Sequence, residues 1–154
     1  LKNTYNEKNL EDSILRELER FILELGQGFT FVERQKRMII DGEDFKLDLL
    51  FYHRKLKRLI AIELKLGKFK AAYKSQMELY LRWLERHEMQ AGEESPIGLI
   101  LCTEGNKEQV ELLQLGKAGI KIAEYMTELP DKKLLQNKLH QAIETSKKHI
   151  ENMQ

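Results

Sequence analysis

Phe45-Lys46-Leu47-Asp48-Leu49-Leu50-Phe51-Tyr52, followed by Leu59-Ile60-Ala61-Ile62-Glu63-Leu64-Lys65, is the stretch on which the fold turns. Both runs have the aromatic, leucine and isoleucine content of strands, and His53 to Arg58 supplies a loop between them. Antiparallel pairing symmetric about that loop sets Tyr52 opposite Leu59, Leu50 opposite Ala61 and Asp48 opposite Glu63. Residues two apart on a strand share a face, so Lys65 falls beside Glu63. Two acids and a lysine thereby meet on one face of a sheet.

Opposed side chains in such a pair have Cβ atoms ~5 Å apart. At an effective dielectric of about 20, two carboxylates at that separation repel by roughly 3 kcal/mol, more than the ~0.2–1 kcal/mol a favourable cross-strand pair returns. A bound Mg2+ or Mn2+ offsets the repulsion, because hard cations take carboxylate oxygens and keep waters in their other positions. Lys65 beside it is placed to hold a water or a phosphate oxygen. An Asp followed ~10–25 residues later by Asp/Glu-x-Lys arises by chance about once in a chain of this length, so spacing alone decides little. Placement is the stronger signal: both acids fall inside apolar runs, where an unpaired charge is costly.

The 154 residues, 42% hydrophobic and 33% charged, describe one globular domain with a real core. No apolar run approaches the ~20 residues of a membrane-spanning helix. No signal peptide precedes the first helix and the single Cys102 sits in an apolar run, which leads us to expect a reducing, cytoplasmic setting and a packing role for the thiol. His53, His87, His140 and His149 have no zinc-like spacing. The net charge of +1 conceals an asymmetry. Arg54, Lys55, Lys57, Arg58, Lys65, Lys68, Lys70 and Lys74 stand in a stretch whose one acid is Glu63, while the remainder is net negative. A basic stretch joined to a carboxylate cluster suits a polyanionic backbone that needs both neutralisation and a metal.

Leu1 to Lys8 reads as the polar end of a linker, and the chain's start at Leu rather than Met suggests a piece of a longer protein. A first helix is expected from Asn9 as N-cap to Gly26 as C-cap, with Leu10, Ile14, Leu18, Phe21, Ile22 and Leu25 as its buried stripe. Glu11 projects within that stripe, so it is either a site residue or a first-turn acid interacting with the helix dipole. Phe29 to Ile40 reads as a strand turned by Asp41-Gly42-Glu43-Asp44 into the Asp48 strand. After Lys65, Gly67 breaks the pattern and Ala71 to about Glu88 reads as a helix, with Gln76 and Tyr80 on one face. Pro96 to Cys102 has the continuous apolar character of a buried parallel strand. A helix capped by Asn106 and Gln109 and ending near Gly116 is expected next, then a strand from Ile120 to Tyr125. Leu129-Pro130-Asp131 opens a final helix, and residues 151–154 form a tail. Helical crossovers make the sheet mixed.

This order of elements, with acids on the second and third strands, resembles the PD-(D/E)XK nuclease superfamily and more narrowly its YhcG-like branch. The resemblance runs through Phe21-Ile22-Leu23-Glu24-Leu25-Gly26, Arg34-Gln35, Leu47 to His53, Glu63-Leu64-Lys65, Gln76 to Leu81, Gly98 to Cys102 and Glu128-Leu129-Pro130. It implies an α/β, restriction-endonuclease-like mixed β-sheet of antiparallel hairpins and parallel strands flanked by helices, over residues 9–150. It also implies a metal-dependent phosphodiesterase site, with Asp48 and Glu63 as Mg2+ or Mn2+ ligands, the Leu64 carbonyl as a third, and Lys65 as the catalytic lysine. Glu11 matches the first-helix acid of many members, and Gln76 the polar residue on the helix after the lysine. The branch often shows Pro-Glu and Gly-Gln where this chain has Ala71-Ala72 and Ser75-Gln76. A nucleic-acid substrate, DNA by expectation, and an N-terminal DNA-binding-like partner domain are implied as well. Arg54, Lys55, Lys57, Arg58, Lys68, Lys70 and Lys74 are expected to hold the nucleic-acid backbone. Two rival readings stay open at this point: a non-cleaving DNA-binding or assembly module, and an interaction domain whose closing helix supplies a homodimer face.

Overall fold

Alternating side chains split each central strand between two helical layers, and that division sets the architecture. The computed structural model describes residues 2–104, 107–114 and 132–153. Helix α1 spans Lys2–Leu25, strand β1 Phe29–Ile40, β2 Glu43–His53, β3 Arg58–Leu66, helix α2 Ala71–His87, β4 Ile97–Glu104, β5 Lys107–Gln114 and helix α3 Lys132–Met153. The strands form one sheet in the order β1-β2-β3-β4-β5. Pairing is antiparallel except between β3 and β4, which run parallel because α2 carries the chain across between them. This is the mixed, helix-flanked α/β sheet expected.

On one face Leu49, Phe51, Ile60, Ile62, Leu99 and Leu101 pack with Ile14, Leu15, Leu18 and Ile22 of α1 and with Leu135, Leu139 and Ala142 of α3. On the other, Leu50, Leu59, Ala61, Ile100 and Cys102 pack with Met77, Tyr80, Leu81 and Leu84 of α2. Fully burying one large aliphatic side chain is worth ~1.5–3 kcal/mol, so these two layers carry most of the stabilisation. Cys102 is buried within the α2 layer. Between β1 and β2, Asp41 (φ 51°) and Gly42 (φ 81°) are both left-handed and Ile40 pairs with Glu43, the geometry of a two-residue type I′ hairpin for which Asp-Gly is well suited. Gly26 stops α1: its N–H donates to the Ile22 carbonyl at 2.8 Å, and a Cβ there would collide with the Phe29 ring.

The structure departs from the sequence expectations in the turn before β2, which takes two residues and leaves Glu43 and Asp44 paired in the strand, in the bounds of α1 and α3, and in the nature of 107–114. Helix α1 begins at Lys2, so Asn9 is interior to it and residues 2–8 are helical rather than linker. That segment has neither Gly nor Pro, and once the packed turns nucleate a helix each further residue adds at little cost. At the other end, α3 runs through Met153, into the expected tail. Lys107–Gln114 is strand β5, antiparallel to β4 with Glu104 opposite Lys107, and not the helix capped by Asn106 and Gln109. Two residues separate those partners, a hairpin spacing, and Val110 pairs with Leu101 and is buried in the α1/α3 layer. Cross-strand pairing and burial override a capping signal that is short and local. The expected strand at 120–125, the helix end near Gly116 and the Leu129-Pro130-Asp131 helix start lie outside the described residues.

Candidate active site

The β2–β3 ladder has the register read from the sequence, with Tyr52 opposite Leu59 and Leu50 opposite Ala61, but it ends at Leu49↔Ile62, one pair short of Asp48 and Glu63. Side chains take over there. The Leu64 N–H donates to Asp48 Oδ2 at 2.8 Å, and the Asp48 N–H donates to Glu63 Oε1 at 3.2 Å. A buried donor left unsatisfied costs ~1–3 kcal/mol, so the two carboxylates close a gap that backbone pairing leaves open. Asp48 is 6% exposed and Glu63 5%.

The gap originates in a change of strand phase. Leu47 lies in the α2 layer and Leu49 in the opposite one, although residues two apart should share a face, so β2 rotates at Asp48. Across from it on β1, Arg34 pairs with Leu49 and Lys36 with Leu47, which brings Gln35 opposite Asp48. Gln35 has a left-handed φ of 52°, uncommon for a residue other than glycine, and its Nε2 donates to Asp48 Oδ1 at 3.2 Å. Sequence reasoning did not single it out as a site residue. The signal was available: the Asp41-Gly42 turn, counted as a two-residue hairpin, places Gln35 across from Asp48.

Lys65 Nζ lies 3.8 Å from Glu63 Oε2, donates to Gln76 Oε1 at 3.1 Å and sits 4.9 Å from the centre of the Tyr73 ring. Gln76 therefore contacts the lysine and not the carboxylates. Burial, then the Asp48 charge, pushes the Glu63 carboxyl well above the usual carboxylate range, and Lys65 opposes this only in part. Tyr80 is buried one helical turn beyond Gln76, and its hydroxyl is pushed up by burial and by the Glu63 and Asp48 charges, so it stays neutral. Glu11 is partly buried and its carboxyl is raised by burial, by Asp48 and by Asp12 against the opposing effect of Lys65. With α1 starting at Lys2, Glu11 stands beyond the first turn, where support from the helix dipole has faded.

Among the described residues no three of His, Cys, Asp and Glu converge on one point. The donors that fit a hard cation are Asp48, Glu63 and the Leu64 carbonyl, which in an extended strand points to the same side as the Leu64 N–H that Asp48 accepts. Two buried carboxylates that repel each other beside a lysine, together with a main-chain oxygen, are the kind of oxygen donors a hard divalent cation takes.

The basic residues divide into two groups. Lys68, Lys70 and Lys74 are exposed close to Lys65, around the start of α2. That helix has no acid in its first turn and its N-cap residue, Lys70, makes no side-chain capping bond, so the positive helix end reinforces the lysines. Arg54, Lys55 and Lys57 are exposed in the turn at the far end of the hairpin, about 17 Å along the strand from Asp48 at ~3.4 Å per residue. Arg58 does not belong to the surface set: it opens β3 opposite His53, beneath the turn, and is 5% exposed.

Residues 1–140 match the family model described as the YhcG PDDEXK nuclease domain. Over 140 residues the chain is 40% identical to a protein of Escherichia coli (strain K12) described as "Putative nuclease YhcG", an overlap covering 90% of this chain and 37% of that relative. The chain thus spans little more than a third of the relative's length. No helix among the described residues is long and apolar enough to cross a membrane. With a match over nearly its whole length and a mixed sheet of restriction-endonuclease-like design, the chain belongs to the YhcG PDDEXK nuclease domain family.

Proposed function

We propose that this domain hydrolyses phosphodiester bonds of nucleic acid, DNA by preference, with Mg2+ or Mn2+ held by Asp48, Glu63 and the Leu64 carbonyl. The observation that carries the reading is the pair of buried carboxylates meeting where the β2–β3 ladder opens, with Lys65 at 3.8 Å from one of them. A cation bound there supplies Lewis-acid polarisation of the phosphoryl oxygen and lowers the pKa of a water. Gln35 orients Asp48 through its Oδ1, and Gln76 holds the Lys65 ammonium towards the carboxylates. Lys65 orients the attacking water or stabilises charge developing at phosphorus. Lys68, Lys70 and Lys74 hold backbone phosphates beside the site without reading bases, and Arg54, Lys55 and Lys57 extend that hold along a longer substrate. The N-terminal DNA-binding-like domain is part of the same proposal for the whole protein. Incubation with linear, branched and single-stranded nucleic acids, with and without Mg2+ or Mn2+, tests it. Cleavage that needs the metal and is absent from Asp48→Asn supports the reading; binding with no cleavage under any metal leaves only a binding module.

Glu11 acts on the site from α1 as an outer acid. Glu11→Gln is expected to lower the cleavage rate or metal affinity by roughly 10-fold, the lower end of the range for groups that support a metal site from outside it. Its raised carboxyl means that the charge gives no stability near neutral pH, so the melting temperature should hold or rise slightly. Rates and melting curves measured side by side decide this, and an unchanged rate would remove Glu11 from the site.

A further inference from the structure

A track of two aromatic rings bracketed by lysines leads away from the carboxylates. Lys65 Nζ is 4.9 Å from the Tyr73 ring centre, Tyr73 meets Phe69 edge-on with centroids 6.2 Å apart, and Lys74 Nζ lies 5.5 Å from the Phe69 ring. Both rings back onto the α2 layer yet keep part of their surface in solvent. Lys68 and Lys70 flank Phe69 and are exposed, and no acid occurs in the sequence between Glu63 and Glu78. Neutralising phosphates needs only the lysines. Rings placed among them offer a different contact, the stacking of bases, which every nucleotide presents from its π-face when it is unpaired. A duplex keeps those faces against its own neighbours.

From this arrangement we propose that Phe69 and Tyr73 form a stacking subsite for an unpaired nucleobase next to the scissile phosphate, so that the substrate class is single-stranded nucleic acid, free or as an unpaired segment of a branched structure. The proposal rests on the nucleic-acid reading above and adds to it the unpaired state of the substrate. The lysines take the phosphates on either side of the stacked base, and the contact of Lys65 with Tyr73 joins the subsite to the carboxylates.

The test is binding in EDTA, so that cleavage plays no part, using fluorescence anisotropy with an oligothymidylate, a strand of equal length built of abasic nucleotides, and a duplex. The chain is expected to bind oligothymidylate roughly five- to a hundredfold tighter than the abasic strand, the range one base–aromatic contact supplies. Phe69→Leu keeps the apolar backing and removes the π-face; it should erase most of that ratio while leaving abasic affinity as it was, and Phe69→Tyr should restore it. Equal affinity of the unaltered chain for base-bearing and abasic strands overturns the subsite, as does an equal weakening of both by Phe69→Leu. Should Phe69→Leu fail to fold, the ratio for the unaltered chain and for Phe69→Tyr decides. If the duplex and the abasic strand still bind while the ratio is one, the subsite falls and the nuclease reading stands; if nothing binds at low salt, both fall.

Discussion

Glu63→Gln should abolish metal-dependent cleavage and at the same time make the metal-free domain more heat-stable than the unaltered chain at about pH 8. The first effect follows from loss of a ligand charge: metal catalysis contributes several kcal/mol of transition-state stabilisation, so the rate should fall by about 10³ or more. The second follows from the raised Glu63 carboxyl, which is displaced upward first by burial and then by Asp48. A carboxyl whose folded value lies above its unfolded one contributes stability that is fully present below the unfolded value of 4.5 and is lost as pH rises through the folded value. The melting temperature of the metal-free chain should therefore decline over that window. Glutamine cannot titrate, so the decline should flatten in the variant. Because the introduced amide would still present an oxygen to the Asp48 N–H, the ladder gap stays closed, and each kcal/mol gained appears as ~2–4 °C in a domain of this size. Mn2+ or Mg2+ should raise the melting temperature of the unaltered chain more at high pH than at low, since binding requires the deprotonated ligand, and should leave the variant unmoved. Melting curves across pH with and without metal measure all of this. A variant with an unchanged pH slope would show that Glu63 is not the group titrating. Alanine at Asp48 is a different experiment: it strips the acceptor from the buried Leu64 N–H, so relief of repulsion is offset by ~1–3 kcal/mol of lost hydrogen bonding.

Lys65→Met should cut single-turnover cleavage by roughly 10²–10³, the loss seen when one preorganised donor to a developing charge is removed, while changing nucleic-acid affinity far less. The difference from its neighbours is positional. Lys65 is tied to Gln76 and stands beside Glu63, whereas Lys68 and Lys70 are exposed and, in the role proposed for them, would hold backbone phosphates in the ground state and transition state alike. Uniform binding of that kind lowers the substrate concentration needed without speeding the chemical step. Lys70→Met should therefore weaken binding across all sequences and reduce the salt slope by roughly one unit on duplex DNA, with the rate at saturation nearly intact. Paired rate and binding measurements at several salt concentrations separate the two. If Lys65→Met and Lys70→Met lower affinity equally and neither selectively lowers the rate, Lys65 is a phosphate clamp and not the catalytic lysine.

Much of this molecule was legible as local pattern. The two apolar runs and the loop between them determined the β2–β3 register down to Tyr52↔Leu59 and Leu50↔Ala61, because pairing symmetric about that loop selects those partners and a one-residue slip would exchange the side chains between the two helical layers. The position of the turn at Asp41-Gly42, though read as four residues where the chain uses two, and the span of α2 were likewise readable, since backbone chirality and helical periodicity act over a few residues. Asp48 and Glu63 stood out as charges where apolar residues were due, and Lys65 by lying two residues from Glu63 on the same face. Tertiary structure alone decided the rest. Whether 107–114 became helix or strand depended on a partner edge, β4, that no short window contains. The eight-residue basic cluster of the linear sequence came apart because a hairpin carries its two ends to opposite poles of the sheet, leaving Arg58 buried and Lys68, Lys70 and Lys74 near the site. Above all, the ladder stops at Leu49↔Ile62 and the carboxylates serve as hydrogen-bond acceptors for Leu64 and Asp48, with Gln35 holding Asp48 from β1. Residue spacing can bring two acids to one face; it cannot say that the strands rotate there, because that rotation is set by two helical layers competing for the same strand, and only the packed core resolves the competition.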